Sequence, residues 1–166
     1  MPSKKQLKTI RAKEAKMNIV EELKKEHEEI ERELIELDEI INSETINYPN
    51  LVHTFTRLHE IWNAHERKEE VLFLFIEELT NVEIPVERMM FEHEELREHK
   101  NALKDSINSG NNEKVQNALQ ENGKILILKL RNHINFEDEF LYRIDLPELD
   151  VDKERELAEA LTNLKL

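Results

Sequence analysis

Three observations predict an all-α fold, an antiparallel up-down-up-down four-helix bundle built from two similar halves. Turn-forming residues are scarce: two glycines and four prolines in 166 residues are too few for the many turns of a sandwich or barrel. Apolar residues instead recur in steps of three and four along four long stretches. The stretch EHEEI at residues 26–30 also returns as EHEEL at 92–96, 66 residues later, in a chain with only seven histidines.

The first stripe is Val20, Leu23, Ile30, Leu34, Leu37 and Ile41, and His27 fills its one missing apolar place. Asn18 with Glu21 resembles a capping box that would start this helix, and Ser43 to Asn50, containing Pro49, reads as the loop after it. The second stripe runs Leu51, Phe55, Leu58, Trp62, His65, Glu69, Leu72, Ile76 and Leu79, and TNVEIP at 80–85 ends it. A third runs Val86, Met89, His93, Leu96, Leu103 and Ile107, with Lys100 off pattern, and NSGNN at 108–112 closes it. The fourth is Val115, Leu119, Leu126, Leu130, His133, Glu137, Phe140 and Ile144, stopped by Asp145, Leu146 and Pro147. Short connections between such helices place sequential neighbours antiparallel. The chain thus divides into a basic arm at 1–16, a bundle at 17–148, and a C-terminal helix at 149–166 that packs on the bundle through Leu157, Leu161 and Leu164.

Composition narrows the chemistry. Without cysteine there is no disulfide, thiolate metal site or Cys nucleophile, and a cytoplasmic location is the expectation. No run approaches the roughly 18 apolar residues of a membrane span, so no membrane association is expected. The net charge of -13 disfavours nucleic acid, whose phosphates are held mainly by Lys and Arg. Charge is uneven, however. Lys4, Lys5, Lys8, Arg11, Lys13 and Lys16 against Glu14 make the arm +5 and leave the remainder at -18. The arm either lies solvated against the acidic body or docks a protein partner.

Imidazole and carboxylate groups are costly to bury unless they are paired or bound to a metal, yet six of them stand where leucine would pack. His65 with Glu69, and His133 with Glu137, are four residues apart and project about 40° from each other, towards one inner volume. His27 and His93 add one nitrogen each from the other two helices. Four histidines and two glutamates are too many donors for one tetrahedral ion and suit two ions that share carboxylates. A dinuclear metal centre is therefore expected.

KEHEEI with HERKEEVLF, and FEHEELR with HINFEDEFLY, resemble the two repeated halves of the hemerythrin-like, or HHE cation-binding, domains over roughly residues 18–145. The resemblance implies a diiron centre: two non-heme iron ions, with zinc or manganese as substitutes, joined by an oxo or hydroxo bridge. It implies ligation by His27, His65, His93 and His133, with Glu69 and Glu137 bridging. Asp138 stands five after His133, where the oxygen carriers have their bridging aspartate, so it competes with Glu137 for that role. Those carriers also have a fifth histidine on the third helix, and Met89 and Arg97 occupy the corresponding places here. The ligand pattern is nearer to the repair-of-iron-centres branch, although the cysteine-bearing domain common there is not seen. The function so implied is binding of O₂, NO or a related small ligand for sensing, buffering or delivery. The alternatives are a redox enzyme acting on peroxide or NO, with Arg97 or Tyr142 handling protons or anions, and iron storage or donation to damaged iron centres.

Among the remaining candidates, His53 and His59 lie about 120° from His65, and His99 about 120° from His93, away from the ligand face. Arg97, four after His93, reads either as a surface ion pair or as a partner for a carboxylate behind the ligands. Glu66, Glu70 and Asp138 are expected to be solvated or to stand beside the ligands rather than on the metal, and Trp62 and Phe140 are expected in the core, with the lining of a dry pocket for a small gas as the alternative.

Overall fold

The computed structural model describes residues 1–79, 85–141 and 151–163; within these, the side chains of 8–20, 75, 76, 79, 140, 141, 151, 153, 154, 157, 158 and 161 lie outside the description. The first helix, α1 (Lys4–Asn42), starts earlier than its sequence suggests. Ser3 Oγ accepts from the Gln6 N–H at 3.2 Å while Gln6 Oε1 accepts from the Ser3 N–H at 2.8 Å, a complete capping box. Nothing between Lys4 and Asn42 is glycine or proline, so the helix continues through Asn18 and the expected start there is an interior position. From Lys4 onward the basic segment is therefore the beginning of α1. At its other end Ser43 Oγ donates to the Ile40 carbonyl at 2.7 Å.

The second helix, α2 (Tyr48–Leu79), begins where Asn47 Oδ1 accepts from the Asn50 N–H at 3.2 Å. Pro85 precedes α3 (Val86–Asn108), which stops at Gly110, whose φ of +65° is the left-handed conformation that glycine adopts without strain. Asn111 Oδ1 then caps α4 (Asn112–Ala118) by accepting from the Lys114 N–H at 3.1 Å. The fourth stripe is not one uniform α-helix. A π-helical turn, Leu119–Gly123, separates α4 from α5 (Lys124–Leu141). A Cβ on Gly123 would fall 2.9 Å from Ile41 Cδ1, so the absence of a side chain lets this wide turn lie against α1. Finally, α6 (Val151–Asn163) packs on α2 and α1.

Helices α1 and α3 each pack against both α2 and α5, which closes a four-helix ring. Cross-helix pairs fix the directions: Glu22 meets Lys68 while Glu33 meets Arg57, and Glu92 meets His133 while Glu95 meets Lys129. Neighbouring helices are thus antiparallel, as the short loops require. The main core fills one end of the ring with Ile30, Leu34, Leu37 and Ile41 of α1, Leu51, Phe55, Leu58 and Trp62 of α2, Leu96 and Leu103 of α3, and Leu126 and Leu130 of α5. Each such side chain contributes about 1.5–3 kcal/mol by leaving water. Buried Leu23, Leu72, Phe73 and Met89 lie towards the other end, so the polar residues at the middle of each stripe sit between two apolar layers. No helix among the described residues is long and apolar enough to cross a membrane. The connection at 80–84, Tyr142, Ile144 to Pro147 and Leu164 lie outside the described residues, as do the side chains of Val20, Ile76, Leu79, Phe140, Leu157, Leu161 and the basic residues from Lys8 to Lys16.

Candidate metal centre

The six residues singled out by the stripes all meet in the middle of the bundle. His65, His93, Glu69 and Glu137 are fully buried, and His27 and His133 nearly so. They form two overlapping groups that could each hold a metal ion: His27, His65, Glu69 and Glu137, and His93, His133, Glu69 and Glu137. Both glutamates belong to both groups. Glu69 turns Oε1 to His65 Nε2 at 2.6 Å and Oε2 to His93 Nε2 at 3.3 Å. Glu137 turns Oε1 to His133 Nε2 at 2.6 Å and Oε2 to His27 Nε2 at 3.0 Å. Within each pair the Nε2 atoms are 3.0 Å apart, His27 from His65 and His93 from His133.

Every imidazole presents Nε2 inward and Nδ1 to a carboxylate supplied by the next helix around the ring. His65 Nδ1 lies 2.8 Å from Glu26 of α1, and His93 Nδ1 lies 3.2 Å from Glu70 of α2. His133 Nδ1 is 2.7 Å from Glu92 of α3, and His27 Nδ1 is 2.7 Å from Asp138 of α5. A carboxylate on Nδ1 fixes the proton there, leaving the Nε2 lone pair aimed at the centre and more basic. Glu137 and Asp138 point to different places. Glu137 faces both histidine pairs, whereas its neighbour, turned about 100° around the helix, reaches the outer nitrogen of His27 with a side chain 42% exposed.

The charges are those of a site built around cations. Both oxygens of Glu69 and Oε1 of Glu137 are buried and face imidazole Nε2 atoms without a well-formed hydrogen bond. Such anionic oxygens are costly in an apolar interior unless a cation meets them. In the metal-free protein protons serve. Burial alone would lower His27, but its hydrogen bond to Glu137 and the adjacent Glu69 carboxylate raise it to about 9. His93 is raised to about 10 against burial by the same two glutamates. Burial and mutual repulsion would raise the glutamates, yet the imidazoles hold Glu69 below and Glu137 well below the ordinary carboxylate value. Four nitrogens and two doubly facing carboxylates fit two transition ions better than one, because each group supplies two imidazoles and an oxygen from each glutamate.

The other candidates sort cleanly. His53 is exposed, His59 pairs with Asn63 at 3.1 Å and His99 with Asn122 at 3.2 Å, all outside the two groups. Arg97 donates Nε to Glu66 at 2.5 Å and Nη2 to Glu70 at 2.6 Å, so it braces the carboxylates behind His93. Trp62 lies in the core and also floors the site, its ring 5.6–5.8 Å from those of His65, His93 and His133. The supporting roles of Glu26 and Glu92 were not foreseen. The signal was present in the repeat, since both halves place a glutamate immediately before the histidine.

Comparison with curated proteins and with solved structures gave no match. A family profile did: that of the hemerythrin HHE cation-binding domain matches residues 18–144, which spans all six buried ligand candidates. The chain belongs to the hemerythrin HHE cation-binding domain family.

Proposed function

We propose that the chain holds two non-heme iron ions between His27, His65, His93, His133, Glu69 and Glu137, and that this diiron centre binds O₂, NO or a related small ligand for sensing, buffering or delivery. The observation that carries the reading is the doubly facing pair of glutamates, each with one oxygen turned to either histidine pair. Three of those four oxygens face imidazole nitrogens without a well-formed hydrogen bond, an arrangement that a cation between them completes. Iron bound there supplies the redox-active, ligand-accepting chemistry. The chain's own residues hold the imidazoles in one tautomer and exclude water through the apolar layers above and below. A ligand set rich in neutral nitrogen leaves the centre less anionic than an all-carboxylate one, which favours reversible binding over strongly oxidising chemistry.

The test is the metal content of protein purified without oxygen, with optical spectra recorded before and after air and NO. Trp62, the sole tryptophan, offers a second signal because it adjoins three of the histidines, and its fluorescence is expected to be quenched on loading. About two irons per chain with gas-dependent, reversible spectra support the reading. Rapid turnover of H₂O₂ or NO would make the centre an enzyme instead, and absence of bound transition metal would overturn the proposal.

A further inference from the structure

The two halves repeat with offsets of 66 residues between α1 and α3 and 68 between α2 and α5, and among the places beside the centre where the repeat is broken is the one behind His93. Over His93, Arg97 spans Glu66 and Glu70, and Glu70 in turn holds His93 Nδ1. The matching positions over His27 are Glu31 in place of Arg97 and Ile134 in place of Glu66. Glu31 turns away to Arg131, at 2.9 Å from its Nη2, so it does not brace Asp138. Lys100, buried behind the Arg97 side, is likewise matched by Leu34.

The consequence is a difference in access. A groove of about 620 Å³ runs between α1 and α5 and is lined by His27, Glu28, Glu31, Arg131, Asn135 and Asp138, among others. Its floor is the histidine itself, 5% exposed where the matching His93 is fully buried. Asp138 is 42% exposed, against 25% for the matching Glu70 under its arginine. One hydrogen-bonded carboxylate, Asp138, thus separates the wide groove from His27, whereas Arg97, bonded to both Glu66 and Glu70, covers His93; at the smaller α3–α5 groove Glu92, 23% exposed, stands behind His133.

Resting on the two-ion reading above, we propose that the halves are kinetically unequal: a divalent metal ion enters and leaves the His27–His65 position through the α1–α5 groove past Asp138, and the Arg97 clamp makes the His93–His133 position the retained one. Glu28, Glu31 and Asp138 outnumber Lys24 and Arg131 along this route, and with Arg131 paired to Glu31 the net negative lining attracts a cation. The clamp raises the barrier on the far side because opening it separates two charged hydrogen bonds.

The experiment follows release of iron(II) from the loaded full-length protein to a coloured chelator under anaerobic conditions. Two phases of one ion each are expected. Asn135→Phe, which fills the groove from an exposed helix position, slows the fast phase about tenfold, the change produced by a barrier raised by about 1.4 kcal/mol. Asn135→Leu is a second, smaller plug should the first load poorly. Arg97→Ala speeds the slow phase and leaves the fast one unchanged. Asn132→Phe, in the narrower α3–α5 groove of about 240 Å³ that reaches His133, leaves the fast phase unchanged. Two bound ions released in a single phase indifferent to both Asn135 plugs, or slowed equally by Asn132→Phe, would overturn the route alone. Failure of the unmodified protein to bind transition metal would overturn the diiron reading and this route with it.

Discussion

Among the described residues Lys100 is the one lysine or arginine that is buried, and replacing it with leucine, the residue at its repeat position 34, should stabilise the protein. The side chain is 3% exposed and its ammonium donates to Asn63 Oδ1. Burial lowers its pKa from 10.5 to about 8; Glu66 opposes the drop, and Arg97 and Lys104 add to it. In the unfolded chain the ammonium is hydrated, so a buried charge at pH 7 costs on the order of 3 kcal/mol. Between pH 8 and 10.5 the unfolded chain binds the proton that the folded one has lost. Stability from this group therefore rises with pH across that window: the penalty is full below 8 and gone above 10.5. Lys100→Leu removes the penalty, and Asn63, which is only half-buried, can turn to water. Urea unfolding of metal-free protein should show the variant more stable by about 2–3 kcal/mol at pH 7, with most of the gain vanishing near pH 10.5. A variant less stable at pH 7, or a gain equal at both pH values, would refute the buried-charge account.

Other outcomes follow from the same geometry. Glu26→Gln and Glu92→Gln, which weaken the carboxylates on His65 and His133 Nδ1, should lower metal affinity by about 10–100-fold in chelator competition while the helical circular dichroism is kept. In metal-free protein the raised His27 and His93, at about 9 and 10, contribute stability that is fully present below pH 6.5 and lost as pH rises through 9 to 10. Metal needs those nitrogens unprotonated, so loading at pH 7 should release protons, measurable as buffer-dependent heats in calorimetry, and affinity should fall with acid. Gly110→Ala should lower stability by about 1–2 kcal/mol in urea unfolding, because its φ of +65° crowds any Cβ.

The fold was legible because helical periodicity is a local property: stripes stepping by three and four need no partner to be read, and they named the ring of helices and its core. The six buried polar residues were legible for the same reason, since each interrupts a stripe where an apolar side chain would pack. Boundaries were read less well. Ser3 with Gln6 begins α1 where Asn18 with Glu21 offered a similar pattern, because a capping box forms only where the helix has an end. The π-helical turn of Leu119–Gly123 depends on Ile41 of another helix and leaves only the glycine as its local trace.

The sequence by itself thus determined the bundle, the two-half repeat and the six residues that converge. Tertiary structure decided which carboxylate serves which imidazole: Glu26 serves His65, Glu70 serves His93, Glu92 serves His133 and Asp138 serves His27. It also decided that Glu137 rather than its neighbour faces both pairs, and that Arg97 pairs with Glu66 and Glu70 while Glu31 turns to Arg131. These are contacts between helices. Their existence depends on the axial offset and rotation of one helix against the next, and packing of whole surfaces sets those quantities, which no single stripe encodes.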